Sequence, residues 1–545
     1  MHSSSSNKLK TKVKRSIWAD GDPFIWATGA ALTFTLCMTV ILMLVVMYNG
    51  LGVLWPHQIA LFEMEDGSFV AGKIMQWSEI PDGGGERVQL KVGNRDLYSL
   101  DFRWVPENDI AEITFPNDAI ALERREFGNF YGFLQELSLN DITVPADTEP
   151  WEAFLSAWNA AVERTQPIQA LSQEVQRLSR EMERNRLSRA RLEHQGVEAD
   201  APEMVNLIEE QSELRAQFDE TLAEQNRKTA ALRQETAIFA DAGGRTREIA
   251  LVDVVRPYRP NTMSIPAKVG FYASKLWELL SAEPRESNTE GGLFPAIFGT
   301  VMLIFLMSIL SFPLGVLAAI YLQEYAKEGP MVKAVHIAVN NLAGIPSIVY
   351  GIFGLGFFVY GVGGIVDSLF FAERLPTPTF GTGGILWASL TLGLLTVPVV
   401  IVATEEALSS VPKGIREASY ALGATRLQTL RRTVLPMASP GIMTGFILAM
   451  ARAAGEVAPL MITGVVKLAP SLPIDGQFPF IHLDRKFMHL GFHIYDVGFQ
   501  SPNVEAAKPM VYVTTMLLVL IVLIMSSLAI YLRSRMKKRY QMGSM

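Results

Sequence analysis

Glu417-Ala418-Ser419-Tyr420-Ala421-Leu422-Gly423-Ala424, followed twelve positions after Gly423 by Leu435-Pro436, is the stretch that decides how this chain is read. Pro412 is placed to open a short helix, and Gly423 to end it in the left-handed conformation that a side chain penalises. Thr425 is placed to cap a second helix running to Val434. Apolar runs flank the stretch on both sides, Ile385 to Ala403 before it and Pro436 to about Val466 after it. A helix–glycine–helix elbow set between two such runs projects from a membrane surface. The plainer alternative is an ordinary amphipathic turn between helices.

Working outward, about 20 mostly apolar residues are needed to cross roughly 30 Å of hydrocarbon. Phe24 to Tyr48, Gly292 to Tyr321, about Val335 to Val366, Ile385 to Ala403, Pro436 to about Val466, and Pro509 to Tyr531 all qualify, giving six spans. The first has no charged residue in 25 positions. It is too long for a signal-peptide core and lacks a small-residue cleavage site, so it reads as a retained helix. Lys8, Lys10, Lys12, Lys14 and Arg15 precede the first span, and Arg533, Arg535, Lys537, Lys538 and Arg539 follow the last. Flanking Lys and Arg favour the cytoplasmic side, which puts both termini inside, as an even number of spans requires. Parity then places 56–290 outside, 404–435 inside and 467–508 outside. Lys413, Arg416, Arg426, Arg431 and Arg432 support the inside position of 404–435 independently.

At 545 residues and 49% hydrophobic the chain is too apolar for a soluble enzyme of its size; at 19% charged it is too polar to lie wholly in a membrane. The charge is segregated: 1–55 sums to +3, 56–290 to −16 and 291–545 to +6, within a total of −7. That balance argues against nucleic-acid binding, which needs basic surface. Cys37 is the sole cysteine and excludes an intramolecular disulfide or a cysteine-based zinc site.

The outer block has two characters. From Ile59 to about Ile120, short runs such as Ser68–Ala71, Arg87–Val92 and Asp101–Val105 alternate with turn signals at Glu65–Gly67 and Pro81–Gly85, which reads as a small β domain at about 58–120. From about Pro167 to Ala240, apolar residues recur at heptad steps: Leu171, Val175, Leu178 and Met182, then Met204, Leu207, Leu214 and Phe218. The break at Gln195–Glu203 predicts two antiparallel helices, a coiled-coil hairpin at about 167–240. Thin apolar seams and dense Glu and Arg read as a spacer or docking arm without chemistry. The domain reading is therefore a basic N-terminus and anchor (1–55), an outer insertion (56–290), a transmembrane domain (291–532) with its inside loop at 404–435, and a tail (533–545).

Arg452 and Glu456 lie in the fifth span, where each bare charge costs about 2.5–3.5 kcal/mol. At i and i+4 they share a helix face. They read either as an inward-facing pair on an anion route or as a structural ion pair that orients two helices. Asn340, Asn341 and Ser347 flank Pro346, a kink site, and either line a pathway or bond between helices. Glu405 and Glu406 read as interfacial or as partners of the basic elbow. Two tempting motifs fall away. Gly67–Ile74 fits a phosphate-binding loop until Ile74, which has no hydroxyl for Mg²⁺. His489 and His493 have metal-friendly spacing, with His482 and Asp496 near, but sit in a loop broken by Gly491 and read as loop packing.

The elbow closely resembles the EAA loop of binding-protein-dependent ABC importers: Glu-Ala-Ala, three residues, Gly, nine residues, Ile-x-Leu-Pro. Ser419 stands for the second Ala and Thr433 for the Ile. Asn341–Gly351, Ala451–Leu460 and Glu290–Ile297 are similar to the A-type permease of phosphate-specific ABC importers, the PstA family, densely over 290–531. The block 56–260 resembles the extension of that family's long variants. The resemblance implies an α-helical MetI-like permease core in the bacterial inner membrane and a periplasmic insertion. It implies a coupling role for Glu417, Ala418, Gly423, Ala424, Leu435 and Pro436 in a groove of the ATPase subunits, and an anion route through Arg452 and Glu456. The implied partners are an ABC ATPase dimer, a second, C-type phosphate permease, a periplasmic phosphate-binding protein and membrane lipid. No bond chemistry, cofactor or metal is expected. The rival readings are a membrane-anchored scaffold or phosphate-status sensor built on the coiled coil, and a permease for another oxyanion.

Overall fold

The computed structural model describes residues 22–80, 85–139, 142–145, 150–501 and 504–541. The basic run Lys8–Arg15 and most of the Pro81–Gly85 turn lie outside the described residues.

Among the described residues, six helices are long and apolar enough to span a membrane: Phe24–Val53, Phe294–Tyr325, Ser347–Phe370, Ile385–Ser409, Arg426–Gly455 and Ala507–Lys538. Two of them differ from the hydropathy reading, and proline accounts for both. The apolar run beginning near Val335 is not one helix. Pro330–Ala343 forms its own helix, and Pro346 (ψ 136°) starts the third span afresh at Ser347. Proline disfavours helical geometry in the residue before it, so Pro346 breaks the rod instead of kinking it. The fifth span begins at Arg426 and ends at Gly455, not at Val466. Pro459 would clash with the Gly455 carbonyl if the helix continued, and a separate short helix, Ala458–Thr463, follows.

The fourth span is the most buried of the six and forms the centre of the bundle. Leu303 and Met307 of the second span pack on Leu392 and Leu395 of the fourth, with Ala453, Leu460 and Phe487 completing the core. Close approach is bought with small residues: a Cβ on Gly315 would sit 2.7 Å from Val400 Cγ1, and one on Gly445 2.6 Å from Ala403 Cβ. The first span lies against the last at Gly50, where a Cβ would meet Met516 at 3.1 Å. Tyr48–Val53 and Lys508–Val513 line one cavity, so these two helices run antiparallel and their outer ends, toward residues 22 and 541, share a face.

Among its described residues the insertion contains two large antiparallel sheets and a two-stranded pair, Pro284–Arg285 with Glu290–Gly291. β1 (Ile59–Met64), β2 (Phe69–Glu79), β3 (Glu86–Lys91), β4 (Phe102–Pro106) and β5 (Ile110–Thr114) form the first, in the order β4-β3-β2-β1-β5, over Phe62, Val88 and Leu90. The β region does not stop near residue 120. β6 (Ile120–Arg124), β7 (Phe130–Leu139), β8 (Ile142–Pro145), β9 (Thr236–Ala240), β10 (Thr246–Ala250) and β11 (Val254–Tyr258) form a second sheet, ordered β10-β9-β7-β6-β11 with β8 on β7. Phe130, Phe154 and Phe239 fill its core. β7 pairs with β9 (Phe133 opposite Ala240), and the helices leave and return between them.

Those helices, Gln166–His194 and Pro202–Leu232, bury Leu178 and Met204 in their seam; Asn185 is also buried there and donates to Glu210 Oε2 at 2.9 Å. The first of them leans on the bundle, with Arg184 donating to Gln477 at 3.2 Å and Arg191 pairing with Glu373 at 3.4 Å. The insertion and the loops around residues 373 and 477 therefore share one face. The fourth span starts on that face, beside Asp484, and delivers the elbow to the other.

Candidate functional site

The elbow is built from local signals. Pro412 caps the helix Lys413–Ala421, Leu422 closes it, and Gly423 turns the chain at φ +82°. Thr425 Oγ1 then accepts from the Gln428 N–H at 3.3 Å while Gln428 Oε1 accepts from the Thr425 N–H at 2.9 Å, a reciprocal capping box. The second arm is not a separate helix ending at Val434. It passes through one π turn, Leu430–Val434, directly into the fifth span. Pro436 has no N–H to bond the Arg432 carbonyl, and the wider turn absorbs that loss.

The arms are pinned to each other and to the bundle. Ser419 and Thr429 share a hydroxyl bond of 2.8 Å, and Arg416 donates to the Leu408 carbonyl at 2.7 Å and pairs with Glu324 at 3.0 Å. Glu405, read from sequence as interfacial or a partner of the elbow, pairs instead with His336 at 3.6 Å. Glu417, Ala418 and Gly423 are exposed and Ala424 is half-buried. Leu422 is 89% exposed and Leu427 63%. Two bare leucines at the tip of a rigid, pinned elbow form a surface shaped to be covered.

Arg452 and Glu456 do not share an uninterrupted helix face, because Glu456 stands one residue past the helix in extended geometry (φ −82°, ψ 125°). They are still paired, Arg452 Nε to Glu456 Oε1 at 3.6 Å. This contact is an ion pair too long for a hydrogen bond. It engages Nε, leaving the terminal guanidinium nitrogens without a hydrogen bond to any described residue. Both side chains are half-buried.

The two quoted motifs of the third and fifth spans meet at this point. A Cβ on Gly351 would lie 2.8 Å from Pro459 Cα, and Tyr350, whose hydroxyl donates to the Leu342 carbonyl at 2.6 Å, lies within electrostatic reach of Arg452. Ser347 is half-buried at the start of that helix, whereas Asn340 and Asn341 are exposed at the end of the preceding one. The third span also contains a ten-residue π segment, Gly354–Gly363, which sequence reading missed; its signal is the run of glycines.

The two motifs set aside lie at strand β2 and at the helix Leu490–Tyr495. Gly67–Ile74 runs into strand β2, with no helix following. His489 caps this short helix and His493 lies within it: His489 Nδ1 accepts from the Gly491 N–H, and His493 Nδ1 bonds Thr514 Oγ1 at 3.1 Å. Burial pushes both imidazoles down to about 4, against a smaller opposing pull from Asp496 on His493. Among the described residues no group of three or more His, Cys, Asp or Glu is arranged to hold a metal.

Six membrane-length helices among the described residues, with an exposed, pinned elbow between the fourth and fifth, define a polytopic membrane protein. Residues 311–538 match the family described as binding-protein-dependent transport system inner membrane component. The chain is 33% identical over 246 residues to the phosphate transport system permease protein PstA of Yersinia pestis, covering 45% of this chain and 74% of that protein. It is 34% identical over 221 residues to the probable phosphate transport system permease protein PstA of Methanocaldococcus jannaschii (40% and 67%). Against the probable ABC transporter permease protein YqgH of Bacillus subtilis it is 35% identical over 198 residues, covering 36% of this chain and 60% of that protein. Among solved structures, a chain of the inward-facing MetNI methionine ABC transporter aligns over 50% of this chain and 99% of its own length, at 19% identity and a TM-score of 0.33. This chain belongs to the PstA family of permeases.

Proposed function

We propose that the chain is the permease subunit of an ATP-driven importer of inorganic phosphate in a bacterial inner membrane, with both termini and the elbow on the cytoplasmic side. The exposed elbow carries the reading. Tyr420, Leu422 and Leu427 project where a bundle acting alone has no use for apolar surface, and a groove on an ABC ATPase is the occupant that family membership suggests. Nucleotide-driven closure of two ATPase subunits would push the elbow. Because the second arm is continuous with the fifth span, that push reaches Arg452 through one helix and rocks the bundle between outward- and inward-open forms.

The chain's own residues supply the anion route. Arg452 offers two terminal nitrogens in a fork that matches two oxygens of a phosphate. Glu456 holds the guanidinium from the Nε side and, as a fixed negative charge, keeps the anion from being trapped. Ser347 and the Tyr350 helix form the facing wall; Asn340 and Asn341 extend the route at its end. A periplasmic binding protein would deliver the anion, and a second, C-type permease subunit would complete the pathway. The alternative of a scaffold or phosphate-status sensor accounts for the helical hairpin but leaves the elbow without a purpose.

The test is Gly423→Val. A Cβ there meets nothing within 4 Å, so the penalty is the left-handed backbone alone, about 1–2 kcal/mol. The variant should insert normally and lose co-purification of the ATPase. Undiminished co-purification would sink the coupling role of the elbow.

A further inference from the structure

Where the first and last spans end beneath the first sheet, the chain lines a partly open cavity of 720 Å³. Tyr48–Val53 and Lys508–Val513 form its floor, and β2, β3 and the helix Ile265–Ser281 its walls. Six Lys or Arg side chains line it against three carboxylates, five of the six from a block whose net charge is −16. A cationic chamber in an acidic insertion is the reverse of what that composition would produce by default.

The cations are unequally satisfied. Arg95 is held by Asp101 at 2.8 Å and Glu286 at 3.3 Å, and Lys275 by Glu123 at 2.8 Å and Glu278 at 3.1 Å. Lys91 stands 3.8 Å from Glu290. The Lys73 ammonium has no ion pair or hydrogen bond with any described residue. Lys73 and Lys91 are also direct cross-strand partners on β2 and β3, an arrangement of like charges that destabilises a sheet. Burial, reinforced by Lys91 and Lys275 and partly opposed by Glu123, pushes the Lys73 amine down to about 7. An anion seated between the two ammonium groups relieves both the repulsion and the lost hydration.

We propose that this chamber binds a phosphate-bearing anion, with Lys73 and Lys91 as its principal ligands and Lys275 at its edge. The site is separate from the route through Arg452 and stands whether or not the transport reading does. The chemistry fits two sources: inorganic phosphate entering from the aqueous face, or the headgroup of an anionic phospholipid, since the floor is made of span ends.

The experiment uses the full chain carrying Arg452→Gln and Glu456→Gln, so that the transmembrane route cannot report. In one arm, nanodiscs of phosphatidylcholine are titrated with radiolabelled inorganic phosphate. In the other, nanodiscs containing phosphatidic acid are analysed by native mass spectrometry for retained lipid. Saturable binding of one ligand per chain is expected in at least one arm, and the arm that gives it identifies the source. Lys73→Gln should weaken that binding about 10-fold or more, the usual loss for a charge-assisted contact, and Lys73→Arg should retain it. Lys91→Gln gives a second reading should Lys73→Gln not fold. Absence of binding in both arms, or binding unchanged in a folded Lys73→Gln or Lys91→Gln protein, overturns the proposal.

Discussion

Removing the charge of Arg452 separates an anion ligand from a structural strut. The pair to Glu456, at 3.6 Å, has a gross attraction of about 4–5 kcal/mol at an effective dielectric of 20. Deleting one partner of a fully buried pair costs about 3–5 kcal/mol, mostly from the orphaned charge. With Arg452 33% and Glu456 23% exposed, water and the bundle cavity screen part of that, and Arg452→Gln alone should destabilise by about 1–3 kcal/mol. Adding Glu456→Gln removes the orphan and should restore thermal stability to near the parent. Transport should not recover. Losing a forked, charge-assisted contact to phosphate costs about 1.5–3 kcal/mol, a fall in uptake of roughly 10–100-fold. Arg452→Lys keeps the charge without the fork and should fall between. The assay is radiolabelled phosphate uptake into proteoliposomes, with melting curves of each variant alongside. Normal uptake by the well-folded double variant would refute the route through Arg452 and leave the pair as a strut.

Two further outcomes follow from orientation and burial. In a Cys37→Ser background, a cysteine at exposed Ser212 should react with a membrane-impermeant thiol reagent added from the periplasmic side, and one at exposed Ser410 should not; the reverse pattern overturns the orientation. His489 and His493 are neutral in the folded state down to about pH 4, whereas the unfolded chain takes up protons near 6.5, so stability is lost as pH falls from about 6.5 through about 4. Melting temperatures in detergent should fall across that window, and His493→Gln should flatten the fall by about 3 kcal/mol at most.

The number of spans was legible because length and hydropathy decide it, and the elbow because proline, glycine and a capping threonine act over a few residues. Pro346 and Pro459 were visible too, but whether a proline kinks or ends a helix depends on what packs around it. Strands β7 and β9 were not legible: they pair across the helical excursion, Glu136 interrupts the alternation of β7, and β9 is only five residues long. Asn185 could be seen as a polar residue in a helix, but not as the buried bond to Glu210, which depends on how the hairpin folds back. The Lys73 chamber had only a misleading signal, a phosphate-loop lookalike. Its partners come from Lys91, Lys275 and Glu290, joined by sheet register and by the return of the chain beneath the sheet.

The central claim is that this chain couples nucleotide hydrolysis to passage of phosphate. It is tested most directly by purifying the chain with its co-assembling subunits, reconstituting the complex in proteoliposomes with the periplasmic binding protein, and measuring ATP hydrolysis with and without inorganic phosphate. The account predicts that an ATPase subunit and a second permease co-purify, that phosphate and the binding protein together stimulate hydrolysis, and that sulfate and molybdate do not. Absence of an ATPase from the complex, or hydrolysis indifferent to phosphate and stimulated by another oxyanion, would contradict it.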